Sequence, residues 1–389
     1  MTLRASKPAF NVREKLTELG RRFGLKGSEL VAAETVQEAR DLVSAGRKNL
    51  VINGDMRISQ RYGFNNPQTV TNQNDYYLDR FVLRENTSGA FQVRQSTPGY
   101  PFEASMQINV TTADTSISSS EYARIQYYVE GNDARAIDWG KSGSKDHLTL
   151  SFWVRSNAPG DYHVSIENSN NNYFPIMVKK YTIEQPNVWQ KVVVTFPPPG
   201  VYNFHRGEGI GLRITWSLVI GSSYNSATDG VWFTSPYLMS TSAQRNFMDT
   251  VGNNFHMTGG QLERGRNATE FEHRSYGEEL ALCQRYYLKT SNAFGTVYES
   301  SGNTGNVGLG ICFPVEMRVA ATNTITSLPT GTANNVHNFG AGNNSYVAGG
   351  TYNGTTRGCQ IYLTGGTAKT VGTFSVLNIG AEVSFNAEW

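Results

Sequence analysis

Cysteine is scarce, and so is charge. Cys283, Cys312 and Cys359 are the only thiols in 389 residues. They are odd in number, far apart and never in a CxxC pair, which excludes a disulfide framework or a cysteine-rich metal knuckle and leaves reduced, buried thiols as the expectation. No apolar run approaches the roughly 18 residues that a membrane-spanning helix needs, so membrane insertion is not expected. Met1 to Phe10 has no apolar stretch of the secretory kind. Charged residues make up 17% of the chain and the net charge is +2, so no bulk attraction to nucleic acid is expected.

Catalytic signatures are also missing. The chain has no G-x-S-x-G, H-E-x-x-H or H-x-H. Gly140-Lys141-Ser142 has the end of a phosphate loop, but Arg135 stands where the leading glycine belongs. The six histidines, His147, His163, His205, His256, His273 and His337, are too scattered to suggest a metal centre. Glu263, Glu270, Glu272, Glu278 and Glu279 form the one carboxylate cluster. A glycosidase needs two carboxylates facing each other across a cleft, and these lie in one short border segment, where solvation or ion pairing is the expectation. Neither enzymatic activity nor any cofactor or metal is predicted.

What the chain has in quantity is Gly (39), Tyr (20) and Phe (19), together with Thr, Asn and Ser. That mixture belongs to turn-rich β proteins. From Asn49 onward, apolar residues recur with period two in Arg80–Arg84, Phe91–Gln95, Ser105–Val110, Ala123–Val129, Leu148–Val154, Tyr162–Glu167, Gln190–Phe196, Gly211–Ser217 and Gly230–Thr234. Turn clusters such as Asn168–Asn172 and Pro197–Gly200 separate them. Many short strands without a long helix between them predict a jelly-roll β-sandwich over 49–272. Tyr276–Tyr287 suits a helical turn or two, and 273–288 reads as a helical hinge. Residues 289–389 are very poor in charge and predict a second β-sandwich, with strands at Gly308–Phe313, Thr322–Ser327, Cys359–Leu363 and Thr373–Ile379. Gly340–Asn344 and Gly349–Thr356 read as tip loops.

Residues 1–48 differ in kind. They hold ten Lys/Arg and six Asp/Glu, so this segment is basic while the rest is slightly acidic. Val12, Leu16, Leu19 and Phe23 share one helical face. Thr35 and Glu38 make a capping box for a second helix that Gly46 closes. Such short helices cannot bury their stripes alone. They must pack on each other, on the β region or on a partner, and the foreign composition favours a partner. Val12, Leu16, Leu19, Arg21, Arg22 and Phe23 are the candidate attachment residues.

Two long motifs carry a resemblance. Asn49-Leu50-Val51-Ile52-Asn53-Gly54-Asp55-Met56-Arg57-Ile58-Ser59-Gln60-Arg61, followed by Tyr77-Leu78-Asp79-Arg80-Phe81, resembles the opening of a β-sandwich module found in tailed-phage fibres and other virion proteins. Gly259-Gly260-Gln261-Leu262-Glu263 through Phe271 to Tyr287 resembles its closing border. The module is similar to carbohydrate-binding jelly rolls attached to glycosidases. The calcium that those often hold is not expected here, because Met56 and Arg57 follow Asp55. Residues 1–48 resemble virion-attachment segments. The resemblance implies a tail fibre in the virion that attaches through its N-terminus to other virion proteins, forms a homotrimer or another symmetric oligomer, and displays β domains to a host surface glycan. A capsid decoration or head fibre, and a glycan-degrading enzyme, are the alternatives. Within the motif, Arg57, Arg61 or Arg80 is expected to pair with Asp55 or Asp79, with Asp79 and Arg80 on opposite faces of a strand.

Sugar stacking needs exposed aromatic rings. Trp139, Tyr173, Phe174, Tyr202 and Phe204 sit in turn-rich stretches and are the loop candidates. Trp153, Trp189, Trp216 and Trp232 lie in or beside strand patterns and are expected in the core.

Overall fold

The computed structural model describes residues 48–389 except 71–74, 98–100, 141–142, 145, 169–174, 203, 235–237, 300–306, 328–335, 339–341, 345–347, 353 and 365–374. The N-terminal helices, with Val12, Leu16, Leu19, Arg21, Arg22 and Phe23, lie outside the described residues, as do Tyr173 and Phe174.

In chain order the first strands are β1 (Gln68–Thr69), β2 (Asp75–Leu78), β3 (Phe81–Glu85), β4 (Ala90–Ser96), β5 (Ser105–Thr112), β6 (Tyr122–Glu130) and β7 (Leu148–Ser156). Then come β8 (Gly160–Glu167), β9 (Ile176–Ile183), β10 (Gln190–Phe196), β11 (Ile210–Ile220), β12 (Trp232–Phe233) and β13 (Asn254–Arg264). They form two antiparallel sheets, one of six strands in the order β1-β4-β5-β13-β7-β10 and one of seven in the order β12-β9-β8-β11-β6-β3-β2. Neighbours far apart in sequence, such as β5 and β13, give the jelly-roll crossovers. The alternation of strand residues explains the packing. In β7, Leu148, Leu150, Phe152 and Val154 are all buried. Trp216 of β11 lies at the centre of the core, its ring 5.8 Å from Phe152 and 6.3 Å from Phe81.

The two border motifs close this sandwich by gripping each other. The Asn49 carboxamide accepts from the amides of Val51 and Leu262 and donates to the Gly260 carbonyl. The Asn53 side chain bonds both backbone groups of its loop partner Ile58 and donates to the Asp79 carbonyl. Asn53 has φ 59°, a left-handed conformation that asparagine tolerates. A Cβ on Gly54 would stand 2.1 Å from the Gly260 carbonyl oxygen, so only glycine permits this approach. Arg274 then ties the ends together, donating to the Asn49 carbonyl at 2.6 Å and to Glu272 and Glu279. Glu263, Glu272 and Glu279 are thus held as structural partners, while Glu270 and Glu278 are exposed.

The helix α1 (Tyr276–Gln284) follows, capped by the Ser275 hydroxyl. The remaining strands are β14 (Tyr287–Glu299), β15 (Val307–Cys312), β16 (Thr322–Ser327), β17 (Val336–Asn338), β18 (Gly342–Asn344), β19 (Ala348–Tyr352), β20 (Gly358–Thr364) and β21 (Ser375–Asn386). They join in the order β18-β17-β21-β14-β15-β20-β19, with β16 also on β21. β18 and β19 stand where tip loops were expected, because hydrogen bonding to β17 and β20 overrides their glycine-rich sequences. Cys283 and Cys359 are buried free thiols, whereas Cys312 is exposed, contrary to expectation.

The chain then returns to the sandwich. The Ala387 amide donates to the Tyr286 carbonyl at 2.8 Å. Glu388 meets Arg80, and both side chains are 1% exposed. The Arg80 guanidinium lies 3.4 Å from the Tyr286 ring centroid and 5.1 Å from that of Trp389, and it donates to the Tyr128 carbonyl. Arg80 is therefore not in a strand opposite Asp79. It sits in the turn between β2 and β3 with φ 74°, and its ion partner is Glu388. Asp79 instead accepts two bonds from Gln60, and Arg57 pairs with Asp55 as expected.

Glu388→Gln leaves Arg80 buried without its counter-charge and should cost about 3 kcal/mol or more in chemical denaturation of the full chain. Arg80→Met with Glu388→Leu should restore most of that loss. A cost below about 1 kcal/mol for Glu388→Gln would mean that the pair does not hold the two parts together.

Candidate functional site

Outward-facing residues of the six-stranded sheet form an aromatic and polar surface. Register places Arg94 of β4 opposite Gln107 of β5, Gln107 opposite His256 of β13, and His256 opposite Arg155 of β7. Trp189, one residue before β10, continues this row. Its ring centroid is 6.0 Å from that of His256, and the Arg155 guanidinium lies 5.6 Å from it. Arg94 Nε donates to Gln107 Oε1 at 2.9 Å, and Gln107 Nε2 donates to Asn109 Oδ1 at 3.1 Å. Trp189 Nε1 has no hydrogen-bond partner among the described residues.

The next row along the strands sets Trp153 of β7 between Thr258 of β13 and Lys191 of β10. Beside it β13 bulges between Thr258 and Gln261. Gly259, with φ 63°, admits the Phe102 ring there, since a Cβ would come within 2.5 Å of that ring and 3.0 Å of Trp153. Phe102 packs edge-on against Phe271 at 4.9 Å, and His273 completes the group. Trp153, Trp189, Phe102 and Phe271 are each partly exposed. Neither row contains a carboxylate. The surface offers ring faces for C–H stacking, donors on Arg94, Arg155 and Lys191, and amides that both give and accept hydrogen bonds.

This arrangement reverses much of the expected division of aromatics. Trp139 and Phe204 are core residues, 1% and 6% exposed, and Tyr202 packs against that core. Trp139 Nε1 donates to the Asp146 carbonyl, so its ring is buried with its polar atom satisfied. Trp216 is buried as expected, but Trp153 and Trp189 point outward and Trp232 is only partly buried. Parity carries the missed signal. In Leu148-Thr149-Leu150-Ser151-Phe152-Trp153-Val154-Arg155, Trp153 shares its phase with Thr149, Ser151 and Arg155.

No family model matches the chain, and no curated protein matches it. Among solved structures, the chain is similar to a putative sugar-binding protein from Bacteroides thetaiotaomicron, with 11% identity over 56% of this chain and 100% of that one and a TM-score of 0.33. It is similar to the enzymatically active domain of tailspike protein 4 of bacteriophage CBA120, with 14% identity over 56% of this chain and a TM-score of 0.29. The match spans 21% of that tailspike domain. It is also similar to TmCBM61 in complex with β-1,4-galactotriose, with 11% identity over 56% of this chain and 100% of that one and a TM-score of 0.25.

His256 supplies a pH-dependent property of the surface. Burial, together with Arg155 and Arg94, pushes its pKa down to about 4. Arg155 is only a donor, so His256 Nε2 accepts from it at 3.3 Å and the ring proton sits on Nδ1, toward the Ser105 hydroxyl. The unfolded chain takes up this proton first as pH falls. The His256 contribution to stability should thus be complete above about pH 6.5, decline by up to about 3 kcal/mol toward pH 4, and level off below. Urea unfolding at both ends of that window should show a smaller loss for His256→Gln than for the unsubstituted chain; equal losses would remove His256 as the cause.

Proposed function

We propose that this protein binds saccharide chains on the outer face of its six-stranded sheet, and that it serves in a tailed-phage virion as a tail fibre attached through residues 1–48. The observation that carries the saccharide reading is the pair of outward tryptophans, Trp153 and Trp189, set among Arg94, Gln107, Asn109, Arg155 and Lys191. A sheet face with rings for sugar faces and fixed polar groups for hydroxyls suits an extended glycan. The proposed action is binding without cleavage, since these rows carry no facing pair of carboxylates. The virion role is supported by the long border motifs, and virion partners and a symmetric homo-oligomer follow from that same resemblance.

Binding of the full chain to a panel of bacterial surface polysaccharides tests the first part. Trp153→Ala and Trp189→Ala should each weaken binding by about tenfold, with unchanged polymer length after long incubation. Shortening of the polymer would favour an enzyme, and unaltered binding by both variants would move the site elsewhere. For the virion role, deleting residues 1–46 should abolish incorporation into particles while leaving a folded β protein. Continued assembly of the truncated chain would exclude these residues as the attachment segment.

A further inference from the structure

The outer face of the seven-stranded sheet holds an unbalanced group of charges. Arg84 of β3 and Arg124 of β6 are direct cross-strand partners, and like charges in that position destabilise a sheet. Arg213 of β11 projects from the same face, opposite Tyr128 and Glu167. Glu167 is the carboxylate that neutralises the group, and it is paired with Arg213. Among the described residues, these three guanidinium groups thus share one carboxylate.

The surroundings leave further polar capacity unfilled. Arg124 is 6% exposed. Its guanidinium stacks on the Tyr122 ring at 4.2 Å and points Nη1 at the sulfur of Met239, while Nε has no partner. Burial, with Arg84 and Arg213 nearby, pushes its pKa down to about 10. Arg84 donates from Nη2 to the Tyr128 hydroxyl at 3.1 Å, and its own Nε is also unpartnered. Ser165 of β8, opposite Thr215 on this face, has a buried hydroxyl without a partner. Neutral side chains around the arginines are already engaged with one another, with Gln126 donating to Thr215 and accepting from Tyr128.

Both flanks of the face are occupied. Trp389 packs with Tyr76, Val82 and Tyr128 on one side. On the other, Gln244 and Thr241 bond the His163 ring, and Ser217 bonds the Met239 carbonyl. Between them Arg84 is partly exposed and the Arg213 side chain is 24% exposed, so the charge deficit faces solvent at these two residues.

We propose that Arg84, Arg124 and Arg213 form a binding site for an oxyanion, carried by an acidic sugar or supplied as a free inorganic anion. A bound oxyanion would complete the charge balance that Glu167 leaves short, and guanidinium forks match its geometry. The site is on the opposite sheet from the tryptophan surface, so it stands or falls independently of the saccharide reading.

Calorimetric titration of the full chain with sulfate, with glucuronate and with glucose, at one ionic strength, tests the proposal. Saturable binding of at least one anion and none of glucose is expected. Arg84→Gln and Arg124→Met should each weaken that binding by about tenfold or more. Arg84 is partly exposed, so Arg84→Gln should keep the near-ultraviolet circular dichroism of the fold. Arg124→Met should raise the thermal midpoint in anion-free buffer, because it removes a buried charge lacking full compensation. Stronger binding of glucuronate assigns the site to acidic sugars, and stronger binding of sulfate assigns it to inorganic anions. No saturable binding of either anion, or unchanged affinity in a folded Arg84→Gln variant, would overturn it.

Discussion

The buried Arg80–Glu388 pair is the contact on which the relation between the two β regions depends. A guanidinium and a carboxylate, both withdrawn from water, are costly to bury apart and tolerable only together. Their pairing is surrounded by the Tyr286, Tyr127 and Trp389 rings, whose faces favour the cation. Around this centre Arg285 and the Tyr286 hydroxyl both reach Glu130, and Arg318 donates to the carbonyls of Ala387, Glu388 and Glu208. The bonds to Glu130 and Glu208 cross between the sandwich and the chain that follows it. Arg80 accepts a left-handed backbone to take part, a conformation that non-glycine residues adopt only where surrounding structure compensates.

The sandwich itself divides its work between two outer faces. One presents rings and neutral amides beside a few cations. The other gathers arginines around one glutamate. The core between them is apolar, while on the seven-stranded face the outward Tyr128 and Glu130 also hold Trp389, Arg285 and Tyr286. Cationic and aromatic side chains thus stand on strands whose inward neighbours are Leu, Phe, Val and Ile.

Much of this was legible in the sequence. The fold class followed from short alternating strands, and most central strands fall within a residue or two of their expected bounds. Of the sandwich strands, β1, β2, β9 and β13 were missed; Lys179 and Lys180 interrupt the apolar phase of β9, and its edge is completed by two residues of β12. The border motifs were visible as motifs, but their physical content was not. Arg80 has its partner 308 positions away, and no local pattern could nominate Glu388 over Asp79. The tryptophans show a different failure. Assigning them by neighbourhood put Trp139 outside and Trp153 inside, whereas strand parity alone would have placed Trp153 correctly. Trp139 needed knowledge of how a loop folds back, which only tertiary structure supplies.

The hydrogen bond between Ala387 and Tyr286 has one more consequence. Everything from Tyr287 to Asn386 begins and ends at adjacent points, and β14 pairs with β21 from its first residue. The last sheet is therefore an excursion from a closed base, joined there at the Tyr286–Ala387 seam and braced against the sandwich by Arg318 and Lys289, which donate to the Glu208 and Arg61 carbonyls. A change of length inside the excursion leaves this seam in place so long as Tyr286, Arg80 and Glu388 keep their places. A chain built this way can alter the excursion while leaving its base untouched.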